Sequence, residues 1–244
     1  MPVLLLHAFP LTGEMFDGQV SALSKRARFV VPDQRGFGKS SLGPGPATME
    51  ALAQDALAVL DHLGIGSAVV GGVSMGGYAA LALLRADPGR VRGLVLADTQ
   101  VSADDEAGRS AREELARAVL AGGMEVLVER QLPRLLSSRA PAGVRAAVKA
   151  MIRASAPLGA AAALRGMALR VDGRDILARF GGPTLVLVGS DDVVTPREKA
   201  RAMADLVPGS ELVEIPEAGH LANVEAPGPF NAALGRYLAR WNEA

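Results

Sequence analysis

The sequence predicts an α/β fold: a doubly wound, mostly parallel sheet with a helical lid inserted into it. Three observations predict it. Short β-rich runs at residues 3–6, 28–31, 68–73, 93–97, 184–189 and 211–215 alternate with segments of helical periodicity. Several of these runs are apolar throughout, which suits strands covered by helices on both faces. Between 101 and 176 no convincing strand occurs, and that stretch is rich in Ala, Arg, Leu and Glu, with breaks near Gly122-Gly123, Pro133, Pro141 and Pro157. It reads as several short helices inserted as one unit after the fourth strand. The expected division is a core of residues 1–100 and 177–244 and a cap of residues 101–176, placed where it could cover the strand ends at which such sheets bind ligands.

The elements follow from local chemistry. Val3-Leu4-Leu5-Leu6 has no basic region before it and is stopped by His7 and Pro10, so it reads as a strand and as neither a signal peptide nor a membrane span. A cytoplasmic protein is the default expectation. Residues 41–46 read as a surface loop. Thr48 then suits a helix N-cap, and Met49, Leu52, Ala53, Ala56, Leu57, Leu60 and Leu63 make a stripe at helical spacing that Gly64 closes. Near the strand at 184–189, Thr195-Pro196-Arg197-Glu198 combines a capping box with proline at the first helical position. Phe230, Ala233, Leu234, Tyr237, Leu238 and Trp241 form a last amphipathic helix whose stripe is core.

Composition narrows the function. With 244 residues, 49% of them hydrophobic and 21% charged, the chain can bury a large core. Formal net charge is zero and no block of like charge occurs, so nucleic acid and anionic membrane are poor partners. Cysteine is absent, which removes disulfides, thiolate catalysis and cysteine metal sites together. Gly38-Lys39-Ser40 echoes a phosphate loop, but Asp33 stands where that loop needs glycine, and the run from Gly71 to Gly77 lacks G-x-G-x-x-G. No nucleotide or other cofactor and no metal is expected.

The chemistry centres on Ser74. The apolar run 68–73 passes through Gly72-Val73-Ser74-Met75-Gly76 straight into a helix-forming segment, so the serine sits on a sharp strand-to-helix turn. In a chain this rich in glycine the five-residue motif alone is weak, and its partners give it weight. A serine nucleophile needs a base, and the chain has three histidines. His62 falls near the end of a helix and His7 at the end of the first strand. His220, in the loop Pro216-Glu217-Ala218-Gly219-His220-Leu221 after the last strand, is the candidate base. An orienting carboxylate is expected from Asp191 or Asp192, which follow the strand at 184–189, with Asp98 as a second choice.

The order Ser, Asp, His is that of the α/β-hydrolases, and the chain resembles that superfamily over nearly its whole length. His7-Ala8-Phe9-Pro10 is similar to the family's His-Gly oxyanion segment, and Asp33-Gln34-Arg35-Gly36-Phe37-Gly38-Lys39-Ser40 to its Asp-x-Arg-Gly-x-Gly-x-Ser loop. The resemblance implies that Asp192, three residues after the glycine ending its strand, is the acid. It also implies that the backbone N–H groups of Phe9 and Met75 form the oxyanion hole. Ala8 stands where the family usually has glycine. The chain starts where the family's third strand begins, so the customary N-terminal hairpin is expected to be missing. Residues 28–31 then lie at a sheet edge, covered by a homodimer contact or left at the surface.

The resemblance implies acyl transfer: a serine hydrolase cleaving a small ester or lactone through an acyl-enzyme. The elbow and the compact core look most like small carboxylesterases and 3-oxoadipate enol-lactonase-type hydrolases. A serine at the elbow argues against the branches that use an aspartate nucleophile. Carbon–carbon bond hydrolases and cofactor-free perhydrolases share the same triad, and a ligand-binding member with vestigial hydrolysis is the alternative from outside catalysis. Met124, Met151 and Met167 suit either an adaptable apolar pocket or the core of the inserted helices.

Overall fold

The computed structural model describes residues 1–43 and 47–241. Of the loop expected over 41–46, residues 44–46 lie outside the described residues.

Among the described residues, six parallel strands form one sheet: β1 (Pro2–Leu6), β2 (Arg28–Val30), β3 (Ala68–Val73), β4 (Val91–Ala97), β5 (Thr184–Gly189) and β6 (Glu211–Ile215), in the order β2-β1-β3-β4-β5-β6. Each lies within two residues of an apolar run named above. β3 and β5 are buried at every position; apart from Thr184 their residues are apolar or glycine, and such a strand fits where both faces are covered. β2 and β6 are the edges, and both are partly exposed. The expected edge position of residues 28–31 is therefore observed.

The helices are α1 (Asp17–Leu23), α2 (Met49–His62), α3 (Met75–Ala86), α4 (Glu106–Gly122), α5 (Glu125–Arg130), α6 (Leu132–Leu135), α7 (Ala142–Ala154), α8 (Pro157–Ala168), α9 (Arg174–Ala178), α10 (Arg197–Ala204), α11 (Ala222–Glu225) and α12 (Pro227–Ala239). Strand order and the right-handed crossover rule set their faces. The step from β1 to β2 runs one way along the sheet, and the steps from β2 through β3 to β6 run the other way. Hence α1 covers one face while α2, α3 and α10 cover the opposite one. α12 packs beside α1. The reversal falls between β1 and β3, which places a crevice at their C-terminal ends, the usual ligand position in open α/β sheets.

Local signals behave as chemistry requires. The Thr48 hydroxyl accepts the Ala51 N–H at 3.2 Å and opens α2, and Gly64 adopts φ 65° just beyond its end. Tyr237 of α12 reaches over the sheet to donate to the Pro183 carbonyl at 2.8 Å, where Gly93 leaves it room. The capping box at 195–198 does not form. α10 begins at Arg197 with Pro196 as its cap, because the Thr195 side chain is drawn to Asp192 instead. Helices α4 to α9 fill the interval between β4 and β5, with α4 packed on α8. Met124 and Met167 are buried among them, and Met151 is half-buried.

Candidate active site

Ser74 is the single residue between β3 and α3, with φ 53° and ψ −114°. A left-handed φ on a residue with a side chain is strained, and it persists only where the surroundings enforce it. Here the Ser74 N–H donates to the Ala97 carbonyl at 3.0 Å, and its own carbonyl accepts the Gly77 N–H at 2.9 Å and the Thr99 hydroxyl at 2.8 Å. Glycine is required on both sides. A Cβ at position 72 would overlap the backbone of Gly76, and one at 76 would overlap the Leu6 carbonyl of the neighbouring strand.

Three side chains distant in sequence converge beyond this turn. The Ser74 hydroxyl lies 2.8 Å from Nε2 of His220, and Nδ1 of His220 lies 2.9 Å from Oδ2 of Asp192. His220 and Asp192 are both buried. Oδ1 of Asp192 accepts the backbone N–H of Val194 at 2.8 Å and of Thr195 at 2.9 Å, and the Thr195 hydroxyl donates to Oδ2 at 2.8 Å. Burial by itself would raise the Asp192 carboxyl. Hydrogen bonding and charge from His220, with the Thr195 bonds, outweigh it and hold the group below its ordinary value. An ionised Asp192 fixes the tautomer of His220 with the proton on Nδ1, leaving Nε2 free to accept from Ser74. Asp191 does not face the imidazole, since its carboxylate pairs with Arg139 at 2.7 Å.

The segment after β1 lies against the same crevice. Among the described residues, neither the Phe9 N–H nor the Met75 N–H has an acceptor within the protein. His7 is fully buried and pinned from both sides: Nε2 accepts the Gln34 N–H at 2.9 Å, and Nδ1 donates to the Ala8 carbonyl at 3.1 Å. Gln34 returns a bond from its side-chain amide to the His7 carbonyl at 2.8 Å. Ala8 is accommodated because its φ is not left-handed. Its N–H rests on the Met15 sulfur at 3.2 Å.

Burial lowers the His7 pKa to about 4 from an ordinary 6.5. The unfolded chain therefore binds a proton between those values that the folded chain refuses. Stability contributed by neutral His7 is fully present above pH 6.5 and drains as pH falls towards 4, by about 3 kcal/mol. His7→Gln should remove that part of the acid sensitivity. Urea unfolding of both proteins at pH 7 and pH 4.5 measures it, and equal losses in the two would contradict this account.

The neighbouring loops are built to approach closely. Asp33 accepts the N–H groups of Gly13 and Lys39, each at 2.9 Å, and so folds the loop from 33 to 40 upon itself. Gly36 there meets Gly159 of α8 backbone to backbone. Glu225 accepts the Gly219 N–H at 2.8 Å and the Ser137 N–H at 2.9 Å, joining the histidine loop to the segment after α6. Arg170, nearly fully buried, lies 4.3 Å over the Tyr78 ring of α3 and pairs with Asp104 at 2.8 Å, tying both ends of the inserted helices to the helix behind Ser74. Thr99 and Glu225 escaped the sequence reading, since a single polar residue in a loop carries no periodic signal, and Thr195 was read only as a helix cap. His62 is exposed at the end of α2. Among the described residues, no three His, Asp or Glu side chains are grouped to hold a metal ion.

Comparison with known proteins identifies the scaffold. The family described as alpha/beta hydrolase fold matches residues 1–227. The chain belongs to the α/β-hydrolase family. This α/β hydrolase is 33% identical over 219 residues to 3-oxoadipate enol-lactonase 1 of Acinetobacter baylyi, covering 88% of this chain and 80% of that one. Among solved structures it resembles a thermophilic esterase from Thermogutta terrifontis in a malate-bound form, with 41% identity and a TM-score of 0.96 over 98% of this chain and 90% of that one. An enol-lactonase from Burkholderia xenovorans shares 28% identity and a TM-score of 0.89, over 98% of this chain and 91% of that one.

Proposed function

We propose that this α/β hydrolase cleaves small carboxylic esters or lactones through an acyl-enzyme formed on Ser74. The observation that carries the reading is the unbroken relay from the Ser74 hydroxyl through His220 to Asp192, with links of 2.8 and 2.9 Å. Nε2 of His220 takes the Ser74 proton as Oγ attacks the substrate carbonyl carbon. The oxygen that becomes negative is received by the N–H groups of Phe9 and Met75, each such donor being worth about 10²–10³ in rate. His220 then returns the proton to the departing alkoxide or enolate oxygen. Water enters, gives its proton to His220, and attacks the acyl-enzyme to release the acid and restore Ser74.

Residues 101–176 act in this reading as a cap over the crevice. The contacts of Gly159 with Gly36, Ser137 with Glu225 and Arg139 with Asp191 support it, since each joins the inserted stretch to a loop beside the site. The likeness to an esterase at 41% identity and to an enol-lactonase at 33% identity supports a neutral ester or lactone carbonyl as the point of attack. The expected substrate is a small molecule, with no cofactor.

A fluorophosphonate should label the protein once, at Ser74, and short p-nitrophenyl esters or lactones should be turned over. Labelling without turnover across both panels would instead favour a ligand-binding member of the fold. Turnover confined to vinylogous diketones would favour carbon–carbon cleavage, and hydrogen peroxide outcompeting water for the acyl group would favour a perhydrolase.

A further inference from the structure

The C-terminal end of β4 supplies none of the relay side chains, yet three consecutive residues there touch every loop that does. The Ala97 carbonyl accepts the Ser74 N–H, and the Thr99 hydroxyl donates to the Ser74 carbonyl. Between them Asp98 is fully buried in a left-handed backbone conformation, φ 44°. Its Oδ1 accepts the Gly189 N–H at 2.8 Å, and its Oδ2 accepts the Ala222 N–H at 3.1 Å. Gly189 is the last residue of β5 and leads into the loop that carries Asp192, whereas Ala222 opens α11 just after His220. Each carboxylate oxygen thus holds one of the two loops whose side chains must meet.

Asp98 stays there against opposition. Burial raises its carboxyl pKa well above the ordinary value, and the Asp192 charge pushes the same way, with Glu225 adding to it. A buried acid in a left-handed backbone costs stability, and its bonds to the Gly189 and Ala222 N–H groups offset part of that cost. It is no substitute for Asp192, because both of its oxygens face backbone amides and Asp192 occupies Nδ1 of His220.

We propose that Asp98 is a positioning residue for the Asp192–His220 pair, its carboxyl group clamping the acid loop at Gly189 to the histidine loop at Ala222. The proposal rests on the reading of Ser74, His220 and Asp192 as a working triad. The two loops follow different strands, and the clamp sets their separation at the rim of the sheet. Its loss lets the imidazole drift from its acid, and a displacement of about 1 Å in such a site can cost about 10² in rate.

Asp98→Asn keeps the shape and breaks one arm of the clamp. The amide oxygen can accept from one N–H, while the NH₂ group opposes the other. The expected result is a kcat lower by about 10- to 100-fold with KM within about twofold, and a shifted or broadened low-field proton resonance of the His220 Nδ1–H. Thermal unfolding establishes that the variant is folded. If it is not, Asp98→Ser, too short to reach both loops, is read in the same way. A folded variant with wild-type kcat and resonance overturns the proposal. So does a reduced kcat with an unmoved resonance, which would make the effect electrostatic. The resonance reports the Asp192–His220 contact whatever the reaction. Failure of the triad reading shows separately, as Ser74→Ala retaining turnover.

Discussion

Ser74→Ala is expected to lower kcat/KM for a short p-nitrophenyl ester by on the order of 10⁵- to 10⁶-fold while the fold survives. The size of the effect comes from what the hydroxyl does. Without Oγ no acyl-enzyme forms, and His220 and the two N–H groups can assist only a direct attack by water. The fold should survive because the turn is held by backbone bonds to Ala97, Gly77 and Thr99, none of which uses the Ser74 side chain. Fluorophosphonate labelling should vanish in the same variant. A loss of less than tenfold, with the purified variant free of contaminating esterase, would exclude Ser74 as the nucleophile.

Asp192→Asn should lower kcat by about 10⁴-fold, a magnitude known from the same change in another serine hydrolase. The geometry gives the reason in this protein. Oδ1 of Asp192 accepts two backbone N–H groups, from Val194 and Thr195, so an amide oxygen must take that place. The amide NH₂ is then forced towards Nδ1 of His220, which has to face it as a bare acceptor. The imidazole proton moves to Nε2, where it points at the Ser74 hydroxyl, and no group remains to take the serine proton. Asp191→Asn is the matched control: its carboxylate meets Arg139 at the surface, so kcat should change little. Comparable losses in both variants would contradict the assignment of Asp192.

Much of the architecture was legible before any coordinate. The largely apolar runs at 68–73 and 184–189 pointed to strands covered on both faces, and β3 and β5 occupy those residues without a shift. The helix opened by Thr48 and closed at Gly64 was legible for a similar reason, since its stripe, its cap and its stop agree. Where one residue had two uses, local logic failed. Thr195 suits a helix cap by every sequence rule, but a buried carboxylate beside it is a stronger partner than a solvated helix end, and its hydroxyl turns that way. Asp33, Arg35 and the glycines around them stood out as a motif, whereas their work as a self-folded platform for α8 emerges only when Gly36 meets Gly159.

What the sequence by itself determined is the six strands, the longer helices packed on them, the sharp turn at Ser74 and the candidates able to move a proton, because these depend on sterics and periodicity over a few residues. Only the tertiary structure decided that the Ser74 hydroxyl reaches Nε2 of His220, that Nδ1 meets Asp192, which the residues themselves left open and the family resemblance alone implied, and that Asp98 bridges two loops. Those contacts join residues up to 146 positions apart. Their geometry is set by how strands of different crossovers end along one rim, which no local pattern encodes.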